Sequence, residues 1–194
     1  MSNKNILKNT FAALAFTTFA ATQTLAENSN NFIINDPSGI DYAAIGETNN
    51  PKKILVLLHG SGDNYKAIAS LGENVAEHYP DLLILVPNGP KSYAEILQPA
   101  QKEMLLQQNP NLNLDNMRNW AGSVNLDGTE TQDQIMQLLE ESQYETADAL
   151  NAIIQSHLDQ HSLEENDVSL YGFSAGGSMA CLLYTSPSPR DRLS

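Results

Sequence analysis

The sequence predicts an α/β fold in which a mostly parallel sheet is flanked by helices. Three observations carry that prediction. Continuous apolar runs at Ile54–Leu58 (ILVLL), Leu82–Val86 (LLILV) and Val168–Tyr171 (VSLY) read as strands of the buried type. Segments of helical periodicity separate them, which is the βαβ pattern. Glycine-rich turns follow the first and third of these runs directly, where a parallel sheet presents its binding loops.

Phe32–Ile34 and Tyr42–Ile45 flank the turn cluster Asp36-Pro37-Ser38-Gly39 and are expected to form a hairpin. After the ILVLL strand, Asp63 or Asn64 is placed to cap a helix, because a short side-chain oxygen accepts a free backbone N–H. Ile68, Leu71, Val75 and Tyr79 continue that helix, and Pro80 stops it. Pro87-Asn88-Gly89-Pro90 ends the second strand. Ile96 and Leu97, then Met104 and Leu105, indicate a helix interrupted by Pro99. The stretch 91–118 reads either as a lid or acyl pocket with those four residues on the ligand, or as a packed surface helix. Asn109–Asn119 is Asn-rich and expected to be loop, with Trp120 at its end. Thr129…Gln132 and Ser142…Glu145 each fit a capping box, so two helices are expected, the second burying Ala147, Leu150, Ile154 and Leu158.

Charge excludes several functions. The 194 residues carry 10 Lys plus Arg against 23 Asp plus Glu, a net charge of −13. Such a surface repels phosphate backbones and anionic membrane faces, so no nucleic-acid partner is expected. One cysteine makes no internal disulfide, and there is no C-x-x-C pair for zinc. His157 and His161 stand at i and i+4 but lack the H-E-x-x-H pattern, and are expected at an exposed helix end. Asp127, Glu130 and Asp133 do not fit a calcium loop and read as a solvated helix start. No phosphate-binding glycine loop is present, and no metal or organic cofactor is expected.

The chemistry lies in two turns. Gly172-Phe173-Ser174-Ala175-Gly176-Gly177 follows the third strand and is a G-x-S-x-G nucleophile elbow. There the serine sits on a sharp turn with dihedrals that a β-carbon resists, and close neighbouring backbone admits only small residues two before and two after it. The turn exposes Oγ at a helix N-terminus, where oriented amides favour negative charge. His59-Gly60-Ser61-Gly62-Asp63 follows the first strand. Its amides, Ser61 N–H foremost, can join Ala175 N–H in an oxyanion hole, with His59 and Gly60 supporting the loop.

LLHGSGDN together with GFSAGGSMA resembles the α/β-hydrolase superfamily, and within it the phospholipase/carboxylesterase family that includes acyl-protein thioesterases. The resemblance covers about 50–180, including Trp120 before an acidic amphipathic helix. It implies an N-terminal part of the α/β-hydrolase fold and a serine hydrolase acting on carboxylic esters or thioesters, with Ser174 as nucleophile. Ala175 departs from the Gln frequent in that family, and GFSAGGSMA is also similar to polyhydroxyalkanoate depolymerases and feruloyl esterases. A non-catalytic binding domain on a hydrolase scaffold is the reading from another class.

In this fold the triad order is Ser, then Asp or Glu, then His. All four histidines (His59, His78, His157, His161) precede Ser174, and only Asp191 follows it. Cys181–Asp191 matches the translation of a transposon-end sequencing adapter at every position. Residues 181–194 are therefore expected to be a non-native tail, 27–180 a truncated hydrolase domain with net charge −16 (6 basic, 22 acidic residues), and the chain itself inactive. Residues 1–26 read as a secretory signal, with Lys4 and Lys8, the apolar Phe11–Thr22 and small residues to Ala26. This run is too short to span the bilayer as a helix, so an exported protein, periplasmic or secreted, with no stable membrane span is expected.

Overall fold

The computed structural model describes residues 32–121 and 129–185. The signal-like segment, Asp127 and the tail past Thr185 lie outside them. Five strands form one sheet in the order β1-β2-β4-β3-β7: β1 (Phe32–Asn35), β2 (Asp41–Gly46), β3 (Lys53–Leu58), β4 (Leu82–Pro87) and β7 (Val168–Gly172). β3 pairs in parallel with β4 and β7, while β1, β2 and β4 pair antiparallel. β1 and β2 are the expected hairpin, turning at Gly39 (φ +82°).

Helices cover both faces. α1 (Tyr65–His78), capped by Asn64, packs on β2, β3 and β4 over Ala43, Ile45, Leu57, Ile84 and Val86. α4 (Gln132–His161) and α5 (Ala175–Thr185) cover the other face, where Ile54, Val56, Leu58, Leu83 and Leu85 meet Ala147, Leu150, Ile154, Leu158 and Met179. Alternate residues of β3 thus feed opposite cores, which is why ILVLL lacks any polar alternation.

Three expectations need correction, while the break at Pro99 is as expected. Residues 132–161 form one helix of 30 residues, not two. Its capping box is Thr131 with Gln134, not Thr129 with Gln132, and Ser142 lies buried inside it, its carbonyl accepting the Thr146 hydroxyl. A capping signature marks where a helix is able to start; no Gly or Pro interrupts 132–161, and Ser142 and Thr146 are buried on the face that continues to Leu158, so the chain does not restart there. β7 is not buried on both faces: Ser169 and Tyr171 are exposed, because β7 is the last strand of the described sheet and α1 packs mainly on β2–β4. The Pro99 break separates α2 (Tyr93–Ile96) from α3 (Pro99–Gln108), with Pro99 at the first helical position, and Leu105 is buried while Met104 is exposed. Those two residues do not share a ligand face. Finally, His157 is no exposed helix end: it is buried, and its Nε2 lies 2.9 Å from the Tyr42 hydroxyl.

Asn109–Asn119 is loop except at its end. There β6 (Arg118–Asn119) pairs antiparallel with β5 (Lys91–Ser92).

Candidate active site

The turn between β7 and α5 departs from ordinary backbone at one residue. Ser174 has φ +52°, a left-handed conformation that costs an L-residue about 1–2 kcal/mol. Its carbonyl accepts the Gly177 and Ser178 amides, which starts α5, and its side chain is exposed. Two contacts force the bend. A Cβ on Gly172 would collide with the Gly176 carbonyl, and one on Gly176 with the Leu58 and His59 carbonyls, so α5 enters directly over the end of β3. Phe173 N–H donates to the Leu58 carbonyl at 3.0 Å and closes the junction.

The second turn leaves β3 beside the first. Leu58 is the register partner of Gly172, and a Cβ on Gly60 would lie 3.1 Å from the Phe173 ring. His59 and Gly60 are buried and Ser61 is exposed. The loop is held by Asp63 N–H donating to the Gly60 carbonyl (3.2 Å), Gly62 N–H to the Arg118 carbonyl (2.9 Å) and Arg118 N–H to the Asp63 carbonyl (2.8 Å). Among the described residues no backbone acceptor meets Ser61 N–H or Ala175 N–H. Partial burial raises the Asp63 carboxyl above its usual range.

Gly60, Ser61, Gly172, Ser174, Ala175 and Gly176 therefore gather where two adjacent parallel strands end. His59 anchors them. Its Nδ1–H donates to the Gly60 carbonyl at 2.7 Å, since Nε2 accepts Gly89 N–H at 2.9 Å. Trp120 stacks on the ring at 4.6 Å, and its Nε1–H donates to the His59 carbonyl at 2.8 Å. One imidazole thus joins the loops after β3 and β4 to the Trp120 segment. With its Nε2 lone pair taken, His59 is a packing residue and not a general base.

That burial has a measurable consequence. Desolvation, reinforced by the Arg118 charge and opposed by the Gly60 bond, lowers the His59 pKa from 6.5 to about 4. The folded chain keeps the ring neutral where the unfolded chain protonates it, so stability is full above pH 6.5 and declines as pH falls toward 4. The loss attributable to His59 is on the order of a few kcal/mol. Urea unfolding at several pH values, compared between wild type and His59→Gln, checks this; an identical pH dependence in the two overturns it.

Of the other histidines, His78 and His161 close α1 and α4, before β4 and β7 begin, and His157 bonds Tyr42 on β2, three places from β7 in the sheet order. The His157 and His161 rings stack at 6.0 Å, and no group of three metal ligands occurs among the described residues. Sequence reading missed Tyr93, whose hydroxyl lies 2.8 Å from Ser61 Oγ. The one signal available was the Ser92…Glu95 capping box, which fixes a helix start at Tyr93 but not what its side chain meets.

The strand order, the antiparallel β2 and the left-handed serine at the β7–α5 turn decide the architecture. It is a partial α/β-hydrolase fold. No family model and no curated protein matches the sequence. Among solved structures, esterase PE8 is 22% identical over 72% of this chain and 54% of its own, with a TM-score of 0.48. A carboxylesterase from Mesorhizobium loti is 19% identical over 81% of this chain and 61% of its own, TM-score 0.44. Acyl-protein thioesterase 2 from Zea mays is 21% identical over 73% and 49%, TM-score 0.40. The chain spans between about half and three fifths of the length of these proteins.

Proposed function

We propose that this chain carries the nucleophile and oxyanion half of a serine hydrolase site for small-molecule carboxylic esters or thioesters. The exposed, left-handed Ser174 between β7 and α5 is the observation that carries the reading. In the reaction, Ser174 Oγ attacks the acyl carbonyl carbon. The Ser61 and Ala175 amides receive the developing oxyanion, and the dipole of α5 favours charge there. A general base takes the serine proton and returns it to the departing alcohol or thiol; water then releases the acyl group. No metal or organic cofactor enters the scheme.

The base comes from outside the described residues, because His59 is engaged, His78 and His161 close helices before β4 and β7 begin, and His157 is bonded to Tyr42 on β2, three places from β7 in the sheet order. The chain alone is therefore expected to hydrolyse p-nitrophenyl esters no faster than background. A longer reading frame from the same DNA source is expected to turn them over, and its preference for short acyl, feruloyl or polymeric esters separates carboxylesterase from feruloyl esterase and depolymerase activity. A longer frame that folds, lacks a late histidine and hydrolyses none of these overturns the proposal in favour of a binding domain. Export is part of the proposal, resting on residues 1–26, and mass spectrometry of the mature N-terminus in the secreting cell tests it.

A further inference from the structure

We infer that Tyr93 is a positioning residue for the oxyanion loop, holding the Ser61 amide through a hydroxyl pair. The inference rests on the serine hydrolase reading and adds a residue that the motifs do not contain. Tyr93 Oη lies 2.8 Å from Ser61 Oγ, 32 residues away in sequence. The tyrosine is itself fixed. It is the first residue of α2, its N–H donates to the Met117 carbonyl at 2.8 Å, and the neighbouring Ala94 N–H donates to the Leu114 carbonyl at 3.1 Å. The Ser92–Glu95 capping box sets the helix start, and the β5–β6 pair ties that start to Arg118.

Arg118 then makes two main-chain bonds directly after Ser61, to Gly62 and Asp63. A Cβ on Gly62 would lie 3.7 Å from Tyr93 Oη, so the tyrosine rests on the turn itself. Residues 91–119 are thus a strap whose backbone grips Gly62 and Asp63 and whose tyrosine grips the serine before them. The Gly60–Ser61 peptide is held at its carbonyl by His59 Nδ1–H and Asp63 N–H; the hydroxyl pair adds an anchor at the serine side chain, on the residue whose N–H must face the substrate. Ser61 contributes its amide to the reaction and its side chain to the clamp.

The test uses the full chain, a fluorophosphonate and imidazole as external base. Ser174 Oγ bonds phosphorus, the P–F bond breaks, fluoride leaves and imidazole takes the proton. Intact-mass kinetics over a range of fluorophosphonate concentrations separate the maximal rate from the half-saturating concentration. Tyr93→Phe and Ser61→Ala are each expected to lower the maximal rate about tenfold, less than the 10²–10³ for outright loss of an oxyanion donor, with half-saturation unchanged. The double variant is expected to fall no further, since both remove one bond. Circular dichroism confirms that the variants fold. Maximal rates equal to wild type, or multiplicative losses in the double variant, overturn the role of Tyr93 alone. Labelling that survives Ser174→Ala, or none dependent on Ser174 under imidazole, overturns the hydrolase reading beneath it.

Discussion

In a reading frame that supplies the general base, Ser174→Ala is expected to lower kcat/KM for a p-nitrophenyl ester by at least about 10⁴-fold. The magnitude follows from what the substitution removes. Alanine keeps the Cβ, so the left-handed turn, the Gly172–Gly176 contact and the start of α5 all persist. Only the Oγ is lost, and with it the covalent route. Residual turnover then reflects oxyanion stabilisation of direct attack by water. Thermal unfolding of the variant within a few degrees of wild type confirms that chemistry and not folding was removed. Turnover that Ser174→Ala leaves unchanged contradicts the assignment of the nucleophile.

Gly176→Ala is the largest expected effect on stability. The added methyl would lie 2.6 Å from the His59 carbonyl oxygen and closer still to that of Leu58. Both are backbone atoms of the central strand and its exit loop, and neither rotates away as a side chain would. α5 must instead lift off the end of β3, disturbing Met179 and Leu183, which are 1% and 7% exposed. We expect a loss of about 3 kcal/mol, the upper range for overpacking, and a fall in Tm of about 10 °C. Gly177→Ala supplies the contrast. There the methyl would meet only the Gly172 carbonyl, at 3.3 Å, and the higher helix propensity of alanine offsets the crowding. Its Tm is expected within about 3 °C of wild type. Equal losses for the two glycines would show that helix packing in general, and not close approach at the elbow, sets the requirement.

Much of this was legible in the chain because its signals are local. ILVLL and LLILV are strands since no other element accepts such runs at that length, and the Asp36–Gly39 turn cluster specifies the hairpin. The G-x-S-x-G spacing announces the elbow because its steric demand falls within five consecutive residues. The readings that failed concern burial and partners. Whether Ser142 opens a helix or lies inside one depends on what covers that face, and whether β7 is covered on both sides depends on how far α1 extends. His157 looks like a surface residue until the hairpin folds Tyr42 onto it, 115 positions distant in sequence.

By itself the amino-acid order determined the five strands of the main sheet, the sharp turn at Ser174 and the acidic character of the molecule, since periodicity, small-residue spacing and charge act over a few positions at a time. Only the three-dimensional arrangement decided that His59 is a neutral bolt between loops, that Gly176 abuts Leu58, and that Tyr93 reaches Ser61. Those facts depend on atoms brought within a few ångströms by the whole sheet, and no short stretch of sequence encodes such meetings.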